Sequence, residues 1–347
     1  MTKRFQVKIS DIAKKLNVSN VTVSKALRNH PDISIETAKK IRKMAKELGY
    51  VPNYMARNLS SRHSNTIGVI VPKIASFFFS TVIESIYDAA FENNYEIILT
   101  VSQENAERES KHIQSLLSMR VDGLIISISQ QTQDYEIFET IRKIGIPITF
   151  MDRVVELKGV NSIVADDRGG AFAATEQAIK CGYKKLAHIG GPQHINIGKE
   201  RLKGFKEALK KYDIPLDPAY LVFGGFGEED GYKGFMKFYG TGHIPEFILA
   251  VSFPVALGVY RAAQELGLRI PHDFDIIGFG NSSYNQFLSP RMSLVDQPGG
   301  TMGRTALELT LENIRNVDNF SPKHIQLPTR LVLAETCVKK LEKTHSK

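Results

Sequence analysis

The stretch "NVSNVTVSKALRN" (residues 17–29) mixes Val18, Val21, Val23 and Leu27 with Asn20, Thr22, Ser24, Lys25 and Arg28. Its reading decides how the rest of the chain is organised. Upstream, Ile9, Ile12, Ala13 and Leu16 recur at the spacing of one helical face, and Val23, Ala26 and Leu27 form a second short stripe. The intervening "NVS" leaves room only for a tight turn, with Ser19 placed to cap the second helix by accepting a backbone N–H. This is helix-turn-helix spacing. A third helix is expected from Ser34, with Ala38, Ile41, Ala45 and Leu48 inward and Gly49 free to take the left-handed conformation that ends a helix. Three short helices close a small all-α headpiece over residues 1–52.

Charge gives that headpiece a partner. Residues 1–63 hold 14 Lys+Arg against 4 Asp+Glu, a net of +10, whereas the whole chain is +8. The remainder, with 31 Lys+Arg against 33 Asp+Glu, is close to neutral. So local a surplus is the footprint of a polyanion binder driven by counterion release, the alternative being a merely solvated surface. The outward residues of the second helix favour the former. Asn20 can pair with adenine, Val21 can touch a thymine methyl and Lys25 can reach guanine O6 and N7, while Ser19, Thr22, Ser24 and Arg28 suit phosphate contacts. Double-stranded DNA is the expected partner.

At 347 residues the chain is long enough for two or three domains. It has no apolar run of membrane-spanning length, and its basic start, "MTKRFQVKISDIAKK", lacks the continuous apolar stretch of a signal peptide, so a cytoplasmic location without membrane attachment is expected. Cys181 and Cys337 are far apart and outside any CxxC or Cys/His cluster, which argues against a zinc site or disulfide framework.

From Thr66 onward the pattern becomes short β-branched runs separated by helical lengths. "TIGVIV" (66–71), "YEIILTV" (95–101), "DGLIIS" (122–127) and "PITFMD" (147–152) form one series. A second comprises "NSIVAD" (161–166), "KLAHIG" (185–190), "YLVFG" (220–224), "FILAVS" (247–252) and "FDIIGF" (274–279). Near-continuous apolar strands are what parallel sheets covered on both faces require. The expectation is an α/β core of two doubly wound parallel-sheet lobes with a cleft where strand carboxyl ends meet. The core is placed at 65–340, with lobe one at about 65–160 and 294–318 and lobe two at about 161–293 and 319–340.

Catalytic and cofactor signatures fail in context. "GFGEEDG" puts its third glycine one residue too far for a dinucleotide loop, "IGFGNSSY" lacks that glycine, and "HIGGPQ" is a strand-to-helix turn without the rest of a phosphate loop. There is no GxSxG elbow and no HExxH, and the nine histidines lack ligand spacing. No catalytic residue, cofactor or metal is assigned. The function classes left are a DNA-binding regulator and, as the alternative, a solute-binding protein of a transport system.

The motifs "ISDIAKKLNVSNVTVSKAL", "LGYVPNYMARNL", "NTIGVIVP", "RVDGLII", "GIPITFMDR", "GYKKLAHIGGP", "RLKGF", "ALGVYRAAQELGLRIPHDFDIIGF" and "LVDQP", in this order, resemble the LacI/GalR family of bacterial transcription regulators. The resemblance covers residues 7–336. It implies a sequence-specific repressor, a homodimer on a palindromic operator, controlled by a sugar or related metabolite bound between the two lobes of a core of periplasmic-binding-protein type. It also implies a hinge helix over 53–64 that folds on binding, with Leu59 wedging into the minor groove beside Ala56 and Arg57. In the cleft, Arg201 aligns with a ligand-clamping arginine, Asp152 and Gln297 match positions near the ligand, and Phe226 stands where an aromatic ring stacks on it. Ser76 and Phe77 fall on the loop after the first strand. The chain departs from the family pattern at Ser252 and Phe253, and again at Gly280 and Asn281, where carboxylates are common. The resemblance therefore implies a more aromatic wall with fewer hydroxyl acceptors.

Overall fold

In the computed structural model the described residues are 7–51, 63–280, 283–316 and 320–338. The hinge candidates Ala56, Arg57 and Leu59 and the cleft candidate Asn281 lie outside them. Two compact units are present, Met1–Ser64 and Asn65–Lys347.

The first unit is built from α1 (Ile9–Leu16), α2 (Asn20–Leu27) and α3 (Ile35–Glu47). Asn17 closes α1 in the left-handed conformation at φ 53, and Ser19 Oγ accepts the Thr22 N–H at 3.0 Å to start α2. Ser34 Oγ does the same for α3, accepting from Thr37 N at 3.2 Å, and Gly49 follows at φ +66. Ile12, Ala13, Val23, Ala26, Ala38, Ile41 and Ala45 bury together with Leu16, Leu27 and Leu48 packed around them. These are the stripes expected from the sequence. The small side chains Ala26, Ala38 and Ala45 allow three short helices to approach closely around so few large residues.

The second unit alternates strand and helix. Its first half comprises β1 (Thr66–Val71), α4 (Phe77–Glu92), β2 (Glu96–Val101), α5 (Ala106–Ser118), β3 (Gly123–Ile126), α6 (Glu136–Lys143), β4 (Ile148–Met151) and β5 (Asn161–Ala165). Then come α7 (Asp167–Lys180), β6 (Leu186–Gly190), α8 (Asn196–Lys211), β7 (Leu221–Phe223), α9 (Glu228–Gly240), β8 (Phe247–Ala250), α10 (Phe253–Glu265) and β9 (Asp275–Phe279). The chain closes with β10 (Ser293–Asp296), α11 (Gly299–Arg315), β11 (His324–Leu327) and β12 (Arg330–Val332). One six-stranded sheet has the order β11-β5-β4-β3-β1-β2 and the other β12-β10-β9-β8-β6-β7. All neighbours are parallel except β10 and β12.

Burial on both faces explains the apolar runs. In β1, Ile67, Val69 and Val71 join the cluster formed by Ile86 of α4 and Leu307 of α11, while Ile70 faces Ile113 and Leu116 of α5. Gly68 is required on that second face, since a Cβ there would stand 2.7 Å from Leu124 and 2.8 Å from Leu116.

The expected lobe boundaries need correction. Residues 161–165 do not open the second lobe: β5 pairs with β4 in the first sheet, in the register Thr149↔Asn161. Residues 293–296 join the second sheet rather than the first, and residues 324–327 join the first rather than the second. Asn161 shows why. Its buried amide donates to the Leu309 carbonyl at 3.1 Å and its oxygen accepts from Lys323 N at 2.9 Å, binding β5 to the elements beside it. Apolar periodicity reports that a strand is buried, not which sheet buries it.

Candidate functional site

On α2 the inward positions are Val23 and Ala26, which leaves Ser19, Asn20 and Val21 exposed. Val21 is 63% exposed, an apolar side chain held in water by its place on the helix. Ser19 and Thr22 share a hydroxyl hydrogen bond of 2.8 Å, and Arg28 Nε donates to the Ser24 carbonyl at 3.2 Å. Ser24 itself is half-buried. Lys25 differs from the free reader suggested by sequence: its Nζ lies 2.7 Å from Asp32 Oδ2, and His30 Nδ1 lies 3.3 Å from the same oxygen. The Lys25 ammonium and its hydrogen bond hold the Asp32 carboxyl below the usual carboxylate range. Asp32 lies beyond the end of α2, where the side-chain spacing of that helix gives no signal for it.

In the second unit a cavity of about 340 Å³ opens where the carboxyl ends of the two sheets meet. The loop after β1 brings Ser76 and Phe77, and the loop after β4 brings Asp152. From the other lobe come Arg201 on α8, Phe226 before α9, and Ser252 and Phe253 at the start of α10. Gly280 and Gln297, following β9 and β10, complete the sequence-derived set among the described residues. All nine line one cavity. Sequence reasoning missed Lys73, Glu104 and Arg153, which line it as well. Arg153 carried a legible signal, standing directly after Asp152 in "FMDR", whereas Glu104 sits in a turn with φ 62 that no periodicity reveals.

Arg201 is only 2% exposed, and much of its guanidinium is already engaged. Asp167 Oδ1 accepts from Nε at 2.8 Å and from Nη2 at 2.6 Å, the Val251 carbonyl accepts from Nη1, and Cζ lies 3.8 Å above the Phe279 ring. Such pairing is what makes a buried cation tolerable. The fork therefore does not meet a ligand along its Nε edge. It presents the rest of its N–H groups from a fixed position.

Asp152 is the reverse case. It is buried and held at φ 62, with Ser127 Oγ at 3.5 Å and Arg153 Nε at 3.9 Å from Oδ2. Burial pushes its pKa up to about 6 against the opposing pull of Arg153. A carboxylate so poorly supplied with donors is poised to accept hydroxyl hydrogen bonds.

The lobes touch across the cleft. Phe77 and Phe253 meet edge to face with ring centroids 6.1 Å apart, and Arg153 Cζ lies 4.3 Å from the Phe226 ring centroid. Asn196 at the start of α8 donates to the Asp152 carbonyl at 2.8 Å and accepts from Val154 N at 3.1 Å. Ser252 Oγ accepts from Val255 N at 3.3 Å, capping α10, and donates to the Phe226 carbonyl at 3.0 Å. Gly280 sits at φ +132, which strains any side chain, and a Cβ would lie 3.2 Å from Phe253 Cβ, close enough that Phe253 would have to give by a few tenths of an ångström.

Comparison with known proteins decides the family. Residues 8–53 match the model for bacterial regulatory proteins of the lacI family, and residues 64–335 match that for periplasmic binding proteins and the sugar-binding domain of the LacI family. This chain belongs to the LacI family. It is 31% identical to catabolite control protein A of Priestia megaterium over 94% of this chain and 98% of that protein. It is 30% identical to the ribose operon repressor of Haemophilus influenzae over 95% of this chain and 96% of that one. The fold matches a crystal structure of the Lac repressor dimer bound to operator and the anti-inducer ONPF, with a TM-score of 0.83, 24% identity, and coverage of 96% of this chain and 99% of that chain. The LacI-family assignment makes the chain a DNA-binding transcription regulator with an effector domain, in preference to a transport protein. No helix among its described residues is long and apolar enough to cross a membrane.

Proposed function

We propose that this LacI-family regulator is a cytoplasmic transcriptional repressor that binds a palindromic operator as a homodimer and changes its DNA affinity when a sugar-sized metabolite fills the cavity. The observation that carries the reading is the union, in one chain, of an exposed α2 in a strongly basic headpiece with a cavity lined from both lobes. Base contacts fall to Asn20, Val21 and Lys25, the last after exchanging Asp32 for DNA, and phosphate contacts to Ser19, Thr22, Ser24 and Arg28. Leu59, with Ala56 and Arg57, serves the minor groove. A single headpiece reads a half-site too short for useful specificity, and two-fold pairing of copies answers with a palindrome. In the cavity, Arg201 and Gln297 donate to ligand oxygens, Asp152 accepts, and the phenylalanine rings cover apolar ring faces. No catalytic step is assigned.

The test is selection of duplexes from a random pool by the full chain, followed by fluorescence anisotropy at two salt concentrations with and without candidate sugars. Enrichment of a palindrome whose affinity responds to one sugar is expected. Equal affinity for selected and random duplexes, or a selected site insensitive to every cavity ligand found by calorimetry, would refute the repressor reading.

A further inference from the structure

Resting on the reading that the cavity holds the effector, we propose that this effector carries an anionic group, a carboxylate or a phosphate, held by Lys73 and Arg153. The argument is an inventory of the charged lining. Arg201 has its charge already paired with Asp167 and one N–H given to the Val251 carbonyl, which leaves its remaining N–H groups for neutral ligand oxygens. Arg153 is not fully committed. Its Nη1 donates to Glu104 Oε2 at 2.7 Å, but its Nε is buried without a hydrogen-bond partner, with Asp152 Oδ2 standing off at 3.9 Å. The Arg153 side chain is only 5% exposed, so water does not replace the missing acceptor freely. Lys73 lines the same cavity and makes no ion pair among the described residues.

The acids of the lining are largely occupied. Glu104 Oε2 accepts from the Gln130 N–H at 2.8 Å as well as from Arg153, and Glu228 is bound by Arg261 at 2.8 Å. Asp152 is left to accept hydroxyl bonds from the remainder of the ligand. The loop that carries Lys73 runs into α4, whose N-cap, Ser76, makes no side-chain cap hydrogen bond. The positive end of a sixteen-residue helix thus opens on the same wall as an unpaired ammonium and an unpartnered guanidinium N–H. An oxyanion satisfies all of them together, which a neutral hydroxyl cannot.

Calorimetry on the full-length chain tests this with two matched sets: glucose, glucuronate and glucose 6-phosphate, and galactose, galacturonate and galactose 6-phosphate. At least one anion should bind tenfold or more tightly than its neutral parent, the carboxylate and phosphate arms telling which group is held. Lys73→Gln, an exposed change that spares the fold, should erase that preference, and Lys73→Arg should retain it. The assignment is overturned if neutral sugars bind as tightly as their anions, if Lys73→Gln leaves the preference intact, or if no member of either set binds. A neutral sugar that binds and shifts duplex affinity sinks the anion while leaving the regulator standing. Failure of every member to bind, with DNA affinity unmoved, counts against both.

Discussion

Asp152→Asn removes a buried charge without changing shape. Asn tolerates the left-handed φ of 62 at least as well as Asp, and its oxygen can still accept from Ser127 Oγ. Raising the carboxyl from 3.8 to about 6 means that the folded state holds the proton more tightly than the unfolded chain does. Below about pH 4 both states are protonated and the site costs nothing. Between pH 4 and 6 the unfolded chain ionises first, so stability falls as pH rises, and above pH 6 the full cost remains. At roughly 1.4 kcal/mol per pKa unit that cost is about 3 kcal/mol, an upper figure for a site that can relax. Urea unfolding of wild type and variant should therefore show Asp152→Asn more stable by about 1 to 3 kcal/mol at pH 7.5, with the difference falling to about a third of that at pH 4.5. The same variant should bind the effector more weakly, since the acceptor has lost its charge. A variant less stable at pH 7.5, or equally shifted at both pH values, would refute the reasoning.

Further changes probe the other parts. Arg201→Ala strips a buried carboxylate of its partner and should destabilise the core by about 3 to 5 kcal/mol in denaturant unfolding, besides abolishing the effector response. Lys25→Ala should relax preference at one base position by about 1 to 3 kcal/mol. Its counterpart Asp32→Asn, by freeing the ammonium, should tighten duplex binding and steepen the salt dependence of affinity, both read by anisotropy across selected and random duplexes. If Lys25 only staples the headpiece, both variants will lower its melting temperature and leave base preference untouched. Gly280→Ala should cost about 1 to 3 kcal/mol through its φ of +132 alone, seen as a lowered unfolding midpoint.

Much of this was legible in the sequence because the physics involved is local or periodic. The caps at Ser19 and Ser34, the stripe Ala38, Ile41, Ala45 and Leu48, and the β-branched runs such as 66–71 each follow from side-chain spacing and backbone hydrogen bonding within a few residues. Membership of a sheet is not local. Residues 161–165 read like any other buried strand, and it is their pairing with β4 and β11, supported by the Asn161 contacts to Leu309 and Lys323, that places them in the first lobe. The cavity shows the same division. Family resemblance points to Asp152, Arg201 and Phe226, but the engagement of Arg201 by Asp167 and by the Val251 carbonyl just after β8 depends on elements far apart in the chain. Gly280 gains its reason only from the structure, where its φ of +132 strains any side chain and Phe253 crowds the position.

The central claim is that one chain joins specific DNA reading to ligand sensing. It is tested most directly by the affinity of the full-length protein for its selected duplex and for a random duplex, measured by anisotropy before and after saturation with the ligand identified by calorimetry. A strong preference for the selected duplex, falling steeply with salt and shifted at least tenfold by ligand in wild type but not in Arg201→Ala, is the predicted result. No preference between duplexes, or a ligand that binds and leaves both affinities unchanged, would contradict it.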